Sequence, residues 1–136
     1  GWNFIGQTRG ALPAPLRGLL WFGVDDVSTT VRTPVYASST KLPNGFVGKG
    51  PQDGVVPPMM KFNWQNAFYV FNVVANFAYS RWDLISPELI QTITDKEKSL
   101  VAQVESIDTE AVGRLQKYGV GNTVEYLTAQ SIEIGE

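Results

Sequence analysis

The side chains best suited to grip a polar substrate are Gln7, Arg9 and the Asp25-Asp26 pair. On an extended segment Gln7 and Arg9 share one face, because side chains alternate across a strand. An arginine fork placed there can hold a carboxylate through two parallel hydrogen bonds. The competing role is an arginine that is solvated or paired within the protein. Asp25-Asp26 follows an apolar run, where catalytic carboxylates are often found, but neighbours on an extended chain point to opposite faces. They are therefore not a facing acid/base pair. Aspartate also favours turns, which gives the pair a purely structural alternative. Gln7, Arg9 and Asp25 are retained as candidate substrate-binding residues.

Asn72 and Asn76 lie four residues apart and, with Gln65, Tyr69 and Tyr79, draw a polar stripe along an otherwise apolar segment. Buried amides need partners, which a neighbouring loop or backbone supplies as readily as a substrate. Ser38-Ser39-Thr40-Lys41 has the serine-to-lysine spacing of some acyltransferases, but Pro43 argues for a loop where that motif needs a helix. Gly48-Lys49-Gly50 through Gly54 has neither nucleotide-binding spacing and runs into Pro57-Pro58. The chain has no cysteine and no histidine. Disulfides, thiolate ligands and the commonest general base are thereby removed. No catalytic residue, metal site or cofactor is assigned within these 136 residues.

Residues 2–9 can extend, and Pro13 and Pro15 make the following stretch a connection. Leu19–Val24 is a continuous apolar run, which predicts a strand buried on both faces. Val31–Ala37 alternates and contains Pro34, which predicts an edge strand. Asp25–Thr30 then closes an antiparallel hairpin. Ser38–Pro58 is rich in Gly, Pro and Asn and forms the clearest internal boundary. The pattern gives strands over 1–37, a long loop over 38–61 and helices over 62–136, all within one unit. Four helices are expected: one capped by Asn63 and apolar almost all round, one from Ser86-Pro87, one capped by Asp108 and ending before Gly119, and one from Asn122.

Three strands cannot enclose a helix carrying Trp64, Phe68, Tyr69, Phe71, Phe77 and Tyr79, so a large exposed apolar patch is expected. Residues 1–66 hold six Lys/Arg against three Asp/Glu, and residues 67–136 hold five against ten. No dense basic face is available for a phosphate backbone, and no run of residues is apolar enough for a membrane span. Neither nucleic acid nor membrane is an expected partner. No signal-peptide pattern is seen, and the lack of an initiator Met is expected of a chain that begins inside a longer product or after processing.

The order of these elements resembles the C-terminal part of the dipeptidase A family, cysteine dipeptidases of the N-terminal-nucleophile (Ntn) hydrolases. The likeness runs from about Gln7 to Ile132. It is carried by Gln7-x-Arg9, Trp21-Phe22-Gly23, Thr33-Pro34-Val35-Tyr36, and Asn63-Trp64 to Tyr79 with Arg81. Weaker likeness lies in Tyr126-Leu127-Thr128 with Ser131. The resemblance implies an α+β fold that is part of an Ntn αββα sandwich, with about three antiparallel strands followed by about four helices. It also implies dipeptide hydrolysis by an N-terminal cysteine whose free α-amino group serves as base. Gly1 stands at the start here, so that nucleophile is expected outside the chain. The expected partners are upstream polypeptide of the same protein or a homo-oligomer partner, with a dipeptide as substrate of the intact enzyme. Two other readings compete: a non-catalytic interaction module using the aromatic helix and the Gly/Pro loop, and an independent hydrolase using Asp25 and Arg9.

Overall fold

The computed structural model describes residues 1–47 and 62–136. Strands β1 (Trp2–Thr8), β2 (Gly18–Val24) and β3 (Thr33–Tyr36) form an antiparallel sheet in the order β1-β2-β3. Pro13 and Pro15 keep the first connection out of the ladder, leaving only a 3-10 turn at Ala14–Leu16. The second connection is a hairpin loop in which Asp25 takes a φ of 67° and the Asp26 carboxylate accepts the Ser28 N–H at 2.6 Å. That side-chain turn is the reason aspartate suits the position. Pro34 lies opposite Trp21 on the outer strand. Ala37 donates to the Gly18 carbonyl, so odd-numbered β3 residues carry the ladder and the donor that Pro34 lacks would point away from β2.

The two faces of the sheet differ. Leu19, Trp21 and Tyr36 point toward the helices and join Leu16, Val104, Ile107, Ala111 and Leu127 in one core. Trp2, Phe4 and Phe22 share the opposite face and stack on one another, with ring centroids 5.6 and 6.5 Å apart. Phe46 meets Phe22 edge-on from the 3-10 turn at Asn44–Phe46. Trp2 remains 67% exposed and Phe4 55% exposed. The expectation that β2 is buried on both faces is therefore corrected: helices cover one face, and the other is only partly screened.

Two helices follow where four were expected, α1 (Ala67–Ser80) and α2 (Trp82–Gly135). α2 is interrupted at Gly119, whose φ of 81° suits glycine and ends the first arm where the sequence placed a stop. The arms lie against each other, with the Arg114 guanidinium 4.5 Å from the Tyr126 ring centroid. Leu100, Val104, Ile107 and Ala111 recur at spacings of three and four and form the buried stripe of the first arm. Thr123, Leu127 and Ser131 do the same on the second. Ser86-Pro87 and Asp108 do not start helices. Pro87 falls near the N-terminus of α2, and Asp108 lies mid-helix with its carboxylate drawn to the sheet. Asn63 is not a helix cap either, because its side chain accepts the Gln65 N–H in a turn before α1. The aromatic helix lies partly exposed. Only Ala75 and Ala78 of α1 are buried, while Phe77 is 71% exposed. Exposed Trp64, Phe77 and Tyr79 give the apolar surface that the sequence predicts.

Candidate functional site

Arg9 follows β1, and its guanidinium turns inward under the sheet. One Nη donates to the Asp108 carboxylate and the other to the Leu16 carbonyl. The Tyr36 hydroxyl donates to the second Asp108 oxygen at 2.8 Å, and the Arg9 guanidinium lies 5.4 Å from the Tyr36 ring centroid. Arg9 and Asp108 side chains are only 13% and 18% exposed. Burial, and then the hydrogen bond and charge of Asp108, push the Tyr36 phenol above its ordinary range, with Arg9 opposing them. The Tyr36 N–H donates to Ser131 Oγ, which also lies 3.0 Å from Ser39 Oγ. This network fastens β1, β3 and both arms of α2 together. Among the described residues, Arg9 Nε is buried without a partner. The free fork that would take a carboxylate is thus largely committed to Asp108 and Leu16.

Gln7 occupies different surroundings. Its side-chain oxygen accepts the Trp21 indole N–H at 3.0 Å across the strand pair. Both residues line a groove of about 270 Å³ with Ile5, Arg32, Glu97 and Val101. One Glu97 oxygen accepts from the Arg32 backbone at 3.1 Å and from its guanidinium at 3.2 Å. The groove thereby combines an amide, an indole, a cation and an anion at the margin between the sheet and α2. Such a set can hold both ends of a small zwitterion.

Asp25 sits at the opposite end of the sheet. Its carboxylate accepts the Asn72 amide at 3.1 Å and lies 3.8 Å from the Gly1 amino group. Asp26 accepts the Tyr79 hydroxyl at 2.9 Å, a contact that raises the affinity of that phenol for its proton. Asn76 donates to the Asn72 carbonyl and side-chain oxygen. The polar stripe on α1 therefore meets the β2–β3 loop, the structural role weighed above for these amides. A larger cavity, about 700 Å³, opens between α1, α2 and the Asn44–Phe46 turn, with Lys96 and Glu136 among its lining residues. Arg9 and Asp25 line neither this cavity nor the groove, and the three candidate residues do not converge on one pocket. Ser38 donates to the Pro15 carbonyl, so the Ser38–Lys41 stretch is a loop as read. The Gly48–Gly54 stretch lies outside the described residues.

Sequence reasoning missed Asp108, Tyr36, Arg32 and Glu97. Asp108 left one usable signal: it stands four residues after Val104, beside the apolar stripe, where a carboxylate needs a cationic partner. The partner, 99 residues away, is not encoded locally.

The model of peptidase family C69 matches residues 2–96, well over half of the chain. The chain belongs to this family of peptidases. The match covers the whole sheet, α1 and the start of α2, and it includes Gln7, Arg9, Asp25 and Arg32. Asp108 and Glu97, which pair with two of these C69 residues, fall beyond it. No curated protein and no solved structure matches the chain. The resemblance drawn from Trp21-Phe22-Gly23, Thr33-Pro34-Val35-Tyr36 and the aromatic helix agrees with this membership.

Proposed function

We propose that residues 1–136 are the C-terminal portion of a C69 dipeptidase whose cysteine nucleophile is carried by polypeptide outside this sequence. The observation that carries this reading is a match to a cysteine peptidase family in a chain with no cysteine and no histidine. Neither a thiolate nor an imidazole base is available here, so the cysteine chemistry of this family requires a nucleophile from elsewhere. In this reading the cysteine opens the mature enzyme. Its own α-amino group takes the thiol proton, the thiolate attacks the scissile carbonyl, the C–N bond breaks as that proton passes to the departing amine, and water then hydrolyses the thioester to free the acid and the thiol.

The sheet face that the described residues only partly screen supports the same reading. Trp2, Phe4 and Phe22 present stacked rings on the side away from α2, as one layer of a sandwich does before its second sheet is added. Upstream polypeptide supplies that second sheet and completes an αββα arrangement. The present chain contributes one sheet, one helical layer and part of the pocket wall. Gln7 and the Arg32–Glu97 pair are the groups best placed to meet substrate termini, with the guanidinium toward the carboxylate and Glu97 toward the amine. Arg9 and Asp25 serve the pocket indirectly, by fixing the end of β1 and the hairpin loop.

Dipeptide hydrolysis by residues 1–136, measured with and without the upstream polypeptide, tests this reading. Activity is expected only with both parts present. Turnover by residues 1–136 alone would exclude it.

A further inference from the structure

The groove between the sheet and α2 has a charged end and an apolar end. α2 meets Arg32 through Glu97 and Arg9 through Asp108. Arg32 precedes Thr33, which pairs with Phe22 near the end of β2, whereas Arg9 follows Thr8, which pairs with Gly18 at its start. The helix therefore runs from the hairpin end of the sheet toward the β1–β2 connection, advancing about 5.4 Å with each turn. Val101 stands four residues after Glu97, so the two side chains share one helix face a turn apart. That turn brings Val101 toward Ile5 and Trp21, which are paired across β1 and β2 and line the groove with it. Glu97 uses Oε1 for both bonds from Arg32, and among the described residues its Oε2 accepts none.

We propose, taking this groove as the substrate site of the dipeptidase described above, that it selects dipeptides whose N-terminal residue has an apolar side chain, and that Val101 and Ile5 set that preference. The α-ammonium donates to the free Glu97 oxygen in a charge-assisted hydrogen bond. The side chain on the adjoining Cα then lies one helical turn further on, between Val101 and Ile5 with the Trp21 ring beside them. An aliphatic or aromatic group gains there by leaving water. A carboxylate side chain would lose hydration against two residues that offer it no donor, and the Trp21 N–H is already held by Gln7. The cation of the groove, Arg32, lies at the other end, and the Glu97 charge beside it opposes a second anion. Glu97 and Val101 both lie past residue 96, where the C69 match ends. The preference is therefore a property of α2 in this chain and not of the matched region.

Titration of isotope-labelled residues 1–136 with Leu-Gly and with Asp-Gly, followed by nuclear magnetic resonance at the Trp21 indole N–H, reads binding without turnover. Concentrations up to about 20 mM cover the millimolar affinity of so small a ligand. A Trp21→Phe sample assigns the signal. Leu-Gly is expected to bind at least about tenfold more tightly than Asp-Gly. Val101→Lys, at a position 46% exposed, offers a cation to the acidic side chain and should cut that ratio at least about tenfold. Contact of the new ammonium with Glu97 would weaken both ligands alike, so the ratio is the readout. Ile5→Thr keeps a β-branched residue in the strand and should lower the ratio in the same direction from the opposite wall. The same preference in kcat/KM is expected of the enzyme completed by upstream polypeptide. A Leu-Gly preference in the titration, with no turnover by the completed enzyme, would support the groove and remove the catalytic reading. Equal binding of the two dipeptides, no shift of the Trp21 signal by Leu-Gly, or an unchanged ratio in Val101→Lys would overturn the proposal whether or not dipeptides are hydrolysed.

Discussion

Removing the Asp108 carboxylate should destabilise the fold more than any other single polar change in the sheet–helix junction. Asp108→Ala leaves the Arg9 guanidinium with one Nη unpaired beside its already unpartnered Nε, and it deprives the Tyr36 hydroxyl of its acceptor. Breaking a fully buried ion pair costs about 3–5 kcal/mol, and a hydrogen bond to a charged group contributes about 1.5–3 kcal/mol. The Arg9 and Asp108 side chains retain 13% and 18% of their exposure, which admits some solvent and lowers the figure. A loss of about 3 kcal/mol is expected, equivalent to roughly 10 °C in Tm for a chain of this size. Asp108→Asn keeps an acceptor for Tyr36 but not the charge, and should cost about 2 kcal/mol. Urea unfolding followed by circular dichroism gives both values. A double-mutant cycle with Arg9→Met should give a coupling of at least about 1 kcal/mol. An Asp108→Ala variant within about 0.5 kcal/mol of the parent would refute the clasp as a stabilising element.

The clasp also sets a pH dependence. Tyr36 holds its proton more tightly folded than unfolded, so its contribution is complete below the ordinary phenol pKa near 10 and is lost as pH rises through the higher folded value. Stability should fall by up to about 1.4 kcal/mol per pH unit above pH 10, and Tyr36→Phe should flatten that slope in urea midpoints measured between about pH 8 and 11. Gly119→Ala should cost about 1–2 kcal/mol because its φ is positive, whereas Gly121→Ala, in the helical arm with open space around it, should stabilise by about 0.5–1 kcal/mol. Thermal melts of the two variants should move in opposite directions. Leu127→Ala, at a fully buried position between the arms of α2 and the sheet, should cost about 2–5 kcal/mol in the same urea assay. Environment-sensitive dyes should bind the parent chain, and Trp2→Ser with Phe4→Ser should reduce that signal, since both rings are exposed on the partly screened face.

Strand positions were legible because their signals are local. The Leu19–Val24 run, the prolines at 13 and 15, Asp25-Asp26 and the edge proline at 34 each fix backbone geometry within a few residues, and β1, β2, the hairpin and the edge strand formed where they indicate. Gly119 was equally readable as a helix stop, because only its own φ is involved. Helix number was not. Asp108 has the residue type of a cap, yet a carboxylate mid-helix is tolerated when a distant arginine and tyrosine satisfy it, and neither partner lies near it in sequence. Ser86-Pro87 carries a start signal that the first turns of α2 absorb. The site was legible only in part for the same reason. Gln7 and Arg9 alternate correctly, but Asp108 draws Arg9 inward while Gln7 stays at an exposed margin beside Trp21, and no local pattern distinguishes those outcomes.

Dipeptide turnover by residues 1–136, compared with turnover after addition of an upstream segment beginning with cysteine, tests the central claim most directly. The account predicts no hydrolysis from the first sample above the uncatalysed rate and clear hydrolysis from the second, abolished when that cysteine is replaced by alanine. Hydrolysis by residues 1–136 alone would contradict it.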